Sequence, residues 1–100
     1  MMYDTVWYVK DRAQISTSRT INMARKKGME YLKKTGYMSC EIYEVYKWEG
    51  RRARTYIGQV ELDLRGGIYY RDLTSYPTIK IYPINKDGSL GKKSGEITVR

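Results

Sequence analysis

The chain has 100 residues, enough for one domain and too few for two, and its 41% hydrophobic and 30% charged content is that of a folded protein, not a disordered one. Nineteen Lys and Arg against eleven Asp and Glu leave a formal charge of +8, which favours anionic partners, with nucleic acid or nucleoprotein first among them. With no histidine and one cysteine, Cys40, the composition excludes an intrachain disulfide, a His/Cys zinc site and any histidine-based nucleophilic triad.

In chain order, Thr5 to Val9 is β-branched and aromatic on both parities, the pattern of a strand covered on both faces. Lys10 to Gln14 is polar, and Ile15 either extends that strand or opens a loop. Ser16, Thr17 and Ser18 offer N-cap oxygens for a helix running to about Thr35, and Gly36 supplies its left-handed stop. On a helical wheel Ile21, Ala24, Gly28, Tyr31 and Leu32 share one side. Arg19, Lys26, Lys27, Lys33 and Lys34 share the other, with Arg25 at the margin. A glycine inside the apolar stripe costs about 1 kcal/mol against alanine, so its presence points to a helix backbone lying close to a sheet.

The period then changes from 3.6 to 2. Tyr37 to Trp48 reads as a strand with Met38, Cys40 and Ile42 on one face and a bulge near Glu44. Glu49-Gly50-Arg51-Arg52 is a hairpin turn. Arg54 to Leu64 returns, with Tyr56, Val60, Leu62 and Leu64 on one parity. Ile68 to Leu73 and Thr78 to Ile84 follow as strands, and the turn Asn85 to Ser89 leads towards a last short run, Glu96 to Val99. The expected fold is α+β: one helix packed on a mostly antiparallel sheet of about five strands, in the order β-α-β-β-β-β. Residues 1–100 form one domain, with a flexible basic segment expected from about residue 86.

Catalytic motifs are scarce. Tyr56-Ile57-Gly58 and Gly67-Ile68-Tyr69 spell the two halves of the GIY-YIG nuclease signature in reversed order, and strands rather than a helix follow, so that activity is not expected. Gly88 to Ser94 has glycines too close together for a phosphate loop and no helix behind it. Glu61 and Asp63 alternate along a strand and face the same way, a pair better read as a solvated face than as a Mg²⁺ site. The chain is therefore expected to be non-enzymatic and to need no cofactor.

Charge and aromatic rings carry what functional signal there is. Lys47, Arg51, Arg52 and Arg54 cluster at a hairpin tip, where guanidinium forks can grip phosphate oxygens. Lys26, Lys27, Lys33 and Lys34 form a second patch on the helix. All thirteen aromatic residues are Tyr or Trp, ring types suited to base stacking or protein interfaces. Glutamates and an aspartate among them argue against a stacking platform for nucleic acid. The leading expectation is a basic binding protein that contacts DNA, RNA or a nucleoprotein through phosphates. The alternative is a small protein-binding inhibitor or accessory protein of the phage or mobile-element type, with a homodimer as one form of it. No segment reaches the roughly 18 apolar residues of a membrane span, and Met1 to Lys10 lacks the order of a secretion signal. A cytoplasmic protein with no membrane partner is expected.

Overall fold

The computed structural model describes residues 1–100. Its elements are β1 (Met2–Val9), β2 (Arg12–Ser18), α1 (Ile21–Thr35), β3 (Ser39–Trp48), β4 (Arg51–Leu62), β5 (Ile68–Asp72), β6 (Thr78–Pro83) and β7 (Gly95–Thr98). The seven strands form one sheet in the order β2-β1-β3-β4-β5-β6-β7, and every neighbouring pair is antiparallel. One helix on an antiparallel sheet is the expected architecture, but the sheet has seven strands and not about five.

Two strands lie beyond the five: β7, where a last short run is expected, and β2, which the residue pattern does not mark. The turn into β2 is made by Lys10 and Asp11, whose φ values of 50° and 67° belong to a tight hairpin turn normally marked by Asn or Gly. Polar Lys10 to Gln14 therefore holds a chain reversal and the start of a strand. Thr20, not Ser16 to Ser18, caps the helix by accepting a hydrogen bond from the Met23 amide at 3.2 Å. Ser16 to Ser18 are still paired to β1 at that point, so their backbone cannot leave for a helix. Gly36 ends the helix in the left-handed conformation, as expected.

The helix packs across β1 to β4. Ala24, Leu32, Cys40, Ile42, Ile57, Val60 and Tyr70 are the core. Gly28 is what lets the helix settle: a Cβ there would lie 3.3 Å from Val60 Cγ2 and 3.6 Å from the Cys40 Cβ. Beyond the helix, the turn between Ile84 and Leu90, which bridge to one another, lies on the same side of the sheet, where both residues pack against the core. Its Gly88 (φ 88°) is buried against the first helical turn, where any side chain would collide with the Asn22 carbonyl. Arg25, placed at the helix margin by the wheel, is buried here instead. It donates from Nε to the Gly88 carbonyl at 2.8 Å and also bonds Asn22 Oδ1, with its guanidinium 4.9 Å from the Tyr70 ring centroid.

Thr5 donates to the Ala24 carbonyl at 2.7 Å, which fixes the helix-facing parity of β1. The alternate residues, including Asp4, Val6 and Tyr8, point to the opposite face, which no second layer covers. A bulge in β4 decides what else stands there. Ile42 pairs with Gly58 but Tyr43 with Tyr56, so Ile57 is the extra residue and reverses parity on either side of itself. Tyr56 consequently belongs to the open face, not to the side of Val60 and Leu62, and Leu64 lies fully exposed beyond the strand. The only helix is too short and too polar to cross a membrane.

Candidate polyanion interface and open sheet face

The hairpin arginines do not project together. Arg52 and Arg54 stand on the open face, and the carboxylate of Asp4 lies between them. Arg52 Nη2 is 2.7 Å from Asp4 Oδ2 and Arg54 Nη1 is 3.9 Å from it; the Asp4 side chain is 0% exposed against 53% and 34% for the two arginines. Thr17 on β2 donates to the other oxygen, Oδ1, at 2.7 Å, so the network ties β2 through β1 to β4. The guanidinium of Arg54 also lies over Tyr43, 4.4 Å from its centroid. Both side chains are thus held down against the sheet. Of the hairpin group expected to meet phosphate, Arg51 and Lys47 are exposed and have no acidic partner, while Arg52 and Arg54 are spoken for.

The helix face is different. Arg19, Lys26, Lys27, Lys33 and Lys34 form no ion pair. Lys27 only donates to the Thr17 carbonyl at 3.3 Å, and Lys26 lies close enough to Asp87 to help lower its carboxyl pKa, after the hydrogen bonds from Ser89. Lys26 and Lys33 are seven residues apart, as are Lys27 and Lys34, so they form two parallel rows with a spacing of about 10 Å. Glu30 is the lone carboxylate among them. Lys10, Arg12, Arg65, Lys80, Lys86, Lys92 and Arg100 are unpaired as well, but they are spread over the rest of the chain, whereas Arg19 and the four lysines fall within Arg19 to Lys34.

The open face holds a groove of about 440 Å³ lined by Tyr56, Gln59, Glu61, Arg71, Leu73, Tyr76 and Ile79. Tyr43 and Tyr56 stack at its rim, centroids 5.3 Å apart and tilted by 34°. Tyr8 and Tyr43 both donate to Glu41 Oε1 at 3.1 Å, and Tyr56 donates to Gln59 Oε1 at 2.9 Å. Burial, reinforced by Glu41, pushes the Tyr43 hydroxyl up to about 12. Glu61 sits 2.7 Å from Arg71 Nε, but off the direction of that N–H, which leaves Arg71 without an aligned acceptor there. Asp63 has left the strand; its Oδ1 accepts from the amides of Arg65 and Gly67 at 2.8 and 2.7 Å. Glu61 and Asp63 are therefore occupied separately, and no three metal-ligating side chains converge anywhere.

The two strings that spell a nuclease signature have packing explanations. Gly58 is required because the Tyr70 ring lies across its α-carbon, where any Cβ would coincide with the ring. Gly67 receives the Asp63 turn. The groove and the inward Arg25 were not visible in the residue pattern, because the bulge at Ile57 shifts Tyr56 to the other face and because Gly88 comes from far along the chain. Comparison with protein-family models, with curated proteins and with solved structures finds no match, so the functional reading rests on this geometry alone.

Proposed function

We propose that the chain is a non-catalytic binding module that engages a polyanion, DNA, RNA or a nucleoprotein, through the exposed side of α1. The observation that carries this reading is the row pair Lys26/Lys33 and Lys27/Lys34, which with Arg19 has no internal ion pair in a chain of formal charge +8. Arg51 and Lys47 at the hairpin tip act as an outlying contact. Arg52 and Arg54 serve the fold instead. Binding of this kind depends on counterion release and therefore falls steeply as salt rises. In a titration against a mixed-sequence duplex and a single strand, Lys26, Lys27, Lys33 and Lys34 all changed to Gln should weaken binding to every sequence alike. Equal affinity for the wild-type and the four-fold variant would remove the proposal. A buried, reduced Cys40 suits a reducing compartment such as the cytoplasm.

A second reading is favoured by the groove: a protein partner, as for an inhibitor or accessory protein, that seats an apolar side chain among Tyr56, Leu73, Tyr76 and Ile79. Mixed aromatic and polar linings of this size suit interface anchors. The two readings use opposite sides of the sheet. Tyr76→Ala would weaken the protein contact and leave polyanion binding unchanged.

A further inference from the structure

We infer that strand β2 is the contact edge of a symmetric homodimer in which two sheets join into one. The inference does not depend on what the helix binds. Val9 and Arg12 flank the two-residue turn at Lys10 and Asp11. In such a hairpin the flanking residues exchange both backbone bonds, and bonded pairs then alternate along the ladder. Arg12, Gln14, Ser16 and Ser18 therefore bond to β1. The amides and carbonyls of Ala13, Ile15 and Thr17 point away from it. The direction of the Thr17 carbonyl agrees, since it meets Lys27 Nζ on the outer side.

This edge lacks the usual protections. It has no proline, no bulge and no charge between Arg12 and Ser18. It also fits itself. Centred on Ile15, an antiparallel pairing sets Ile15 against Ile15 of the second copy and Ala13 against Thr17 on either side. Each outward amide then meets an outward carbonyl. Arg12 falls opposite Ser18, so no like charges face each other. Ile15 is 49% exposed on the open face, and its counterpart would cover it. The carbonyl of Thr17 has two lone pairs, so Lys27 need not leave. The two Thr17 residues sit about 13 Å apart along the strands, so the adjacent Lys27 ammonium groups lie beyond the roughly 8 Å screening length of physiological salt. The two-fold axis stands perpendicular to the sheet, so both helices lie on the same side.

Sedimentation equilibrium from micromolar to millimolar protein tests the contact. The expected result is a species of twice 11.8 kDa that weakens at least tenfold in Ile15→Lys, which places two ammonium groups at the axis. Ile15→Pro should do the same, because it removes an amide that β1 does not use and so leaves the monomer fold, read by circular dichroism, intact. Ile15→Glu mixed with Ile15→Lys should recover the dimer. Hydrogen exchange adds a reading independent of mass: the Ala13, Ile15 and Thr17 amides gain protection with concentration, and those of Gln14 and Ser16 do not. A single 11.8 kDa species throughout, or a dimer that both Ile15→Lys and Ile15→Pro leave unchanged, overturns the assignment.

Discussion

Removing Arg52 and removing Asp4 break the same ion pair but leave different things behind. Asp4 is fully buried and Arg52 is half in water. Loss of Arg52 strands a buried carboxylate with only the Thr17 hydroxyl and a more distant Arg54, whereas loss of the Asp4 charge lets Arg52 return to solvent. Arg52→Ala should therefore cost about 2–3 kcal/mol in urea unfolding, the range for a hydrogen bond to a charged group. Asp4→Asn should cost less, and the double variant should be more stable than Arg52→Ala alone. The reverse order would mean that the pair contributes by attraction rather than by sparing the carboxylate. Cys40 and Tyr70 make a second residue-scale prediction. Burial raises both to about 12, from 9.0 and 10.0. Each group is held neutral in the folded state, so its stabilisation is complete below the unfolded pKa and is lost as pH rises through the folded one. Stability should fall between about pH 9 and pH 12, and Cys40→Val should remove the part of that loss that begins near 9. A flat alkaline profile in the wild type would contradict it.

At the scale of elements, what could be read from the residues followed from local chemistry, and what could not depended on remote contacts. The helix stop at Gly36, the close approach at Gly28 and the hairpin at Glu49-Gly50 each have a glycine or a period behind them, and each is where it was expected. The β1–β2 hairpin had no such mark, because Lys10 and Asp11 adopt left-handed conformations that glycine and asparagine favour. Replacing Lys10-Asp11 with Asn-Gly should relieve that strain and stabilise the protein by about 1 kcal/mol, read as a rise in unfolding midpoint. The candidate site divides the same way. Lysines on a helical face are legible as an exposed patch; the hairpin arginines look identical in sequence, and only the register that puts Asp4 of β1 within reach of two β4 arginines across β3 shows that they are used internally. Gly58 is a further case in which a remote side chain sets the requirement. Gly58→Ala should displace the buried Tyr70 ring, at about 1–3 kcal/mol, measurable as a lowered midpoint without loss of the helix signal.

The whole molecule is a sheet with two unlike sides. One side carries the helix with its unpaired lysines and the turn between Ile84 and Leu90. The other carries tyrosines, internally matched charges and the groove. Side therefore separates the two functional readings, and a 100-residue chain is small enough for every amide to report on which side is used. The most direct measurement is a nuclear magnetic resonance titration of the labelled protein with a short mixed-sequence duplex at low and at physiological salt. The polyanion reading predicts shifts in the amides of Lys26 to Lys34 and around Arg51, reduced at the higher salt, with Tyr56, Arg71 and Ile79 unmoved. No shift at low salt, or shifts confined to the groove residues, would contradict it.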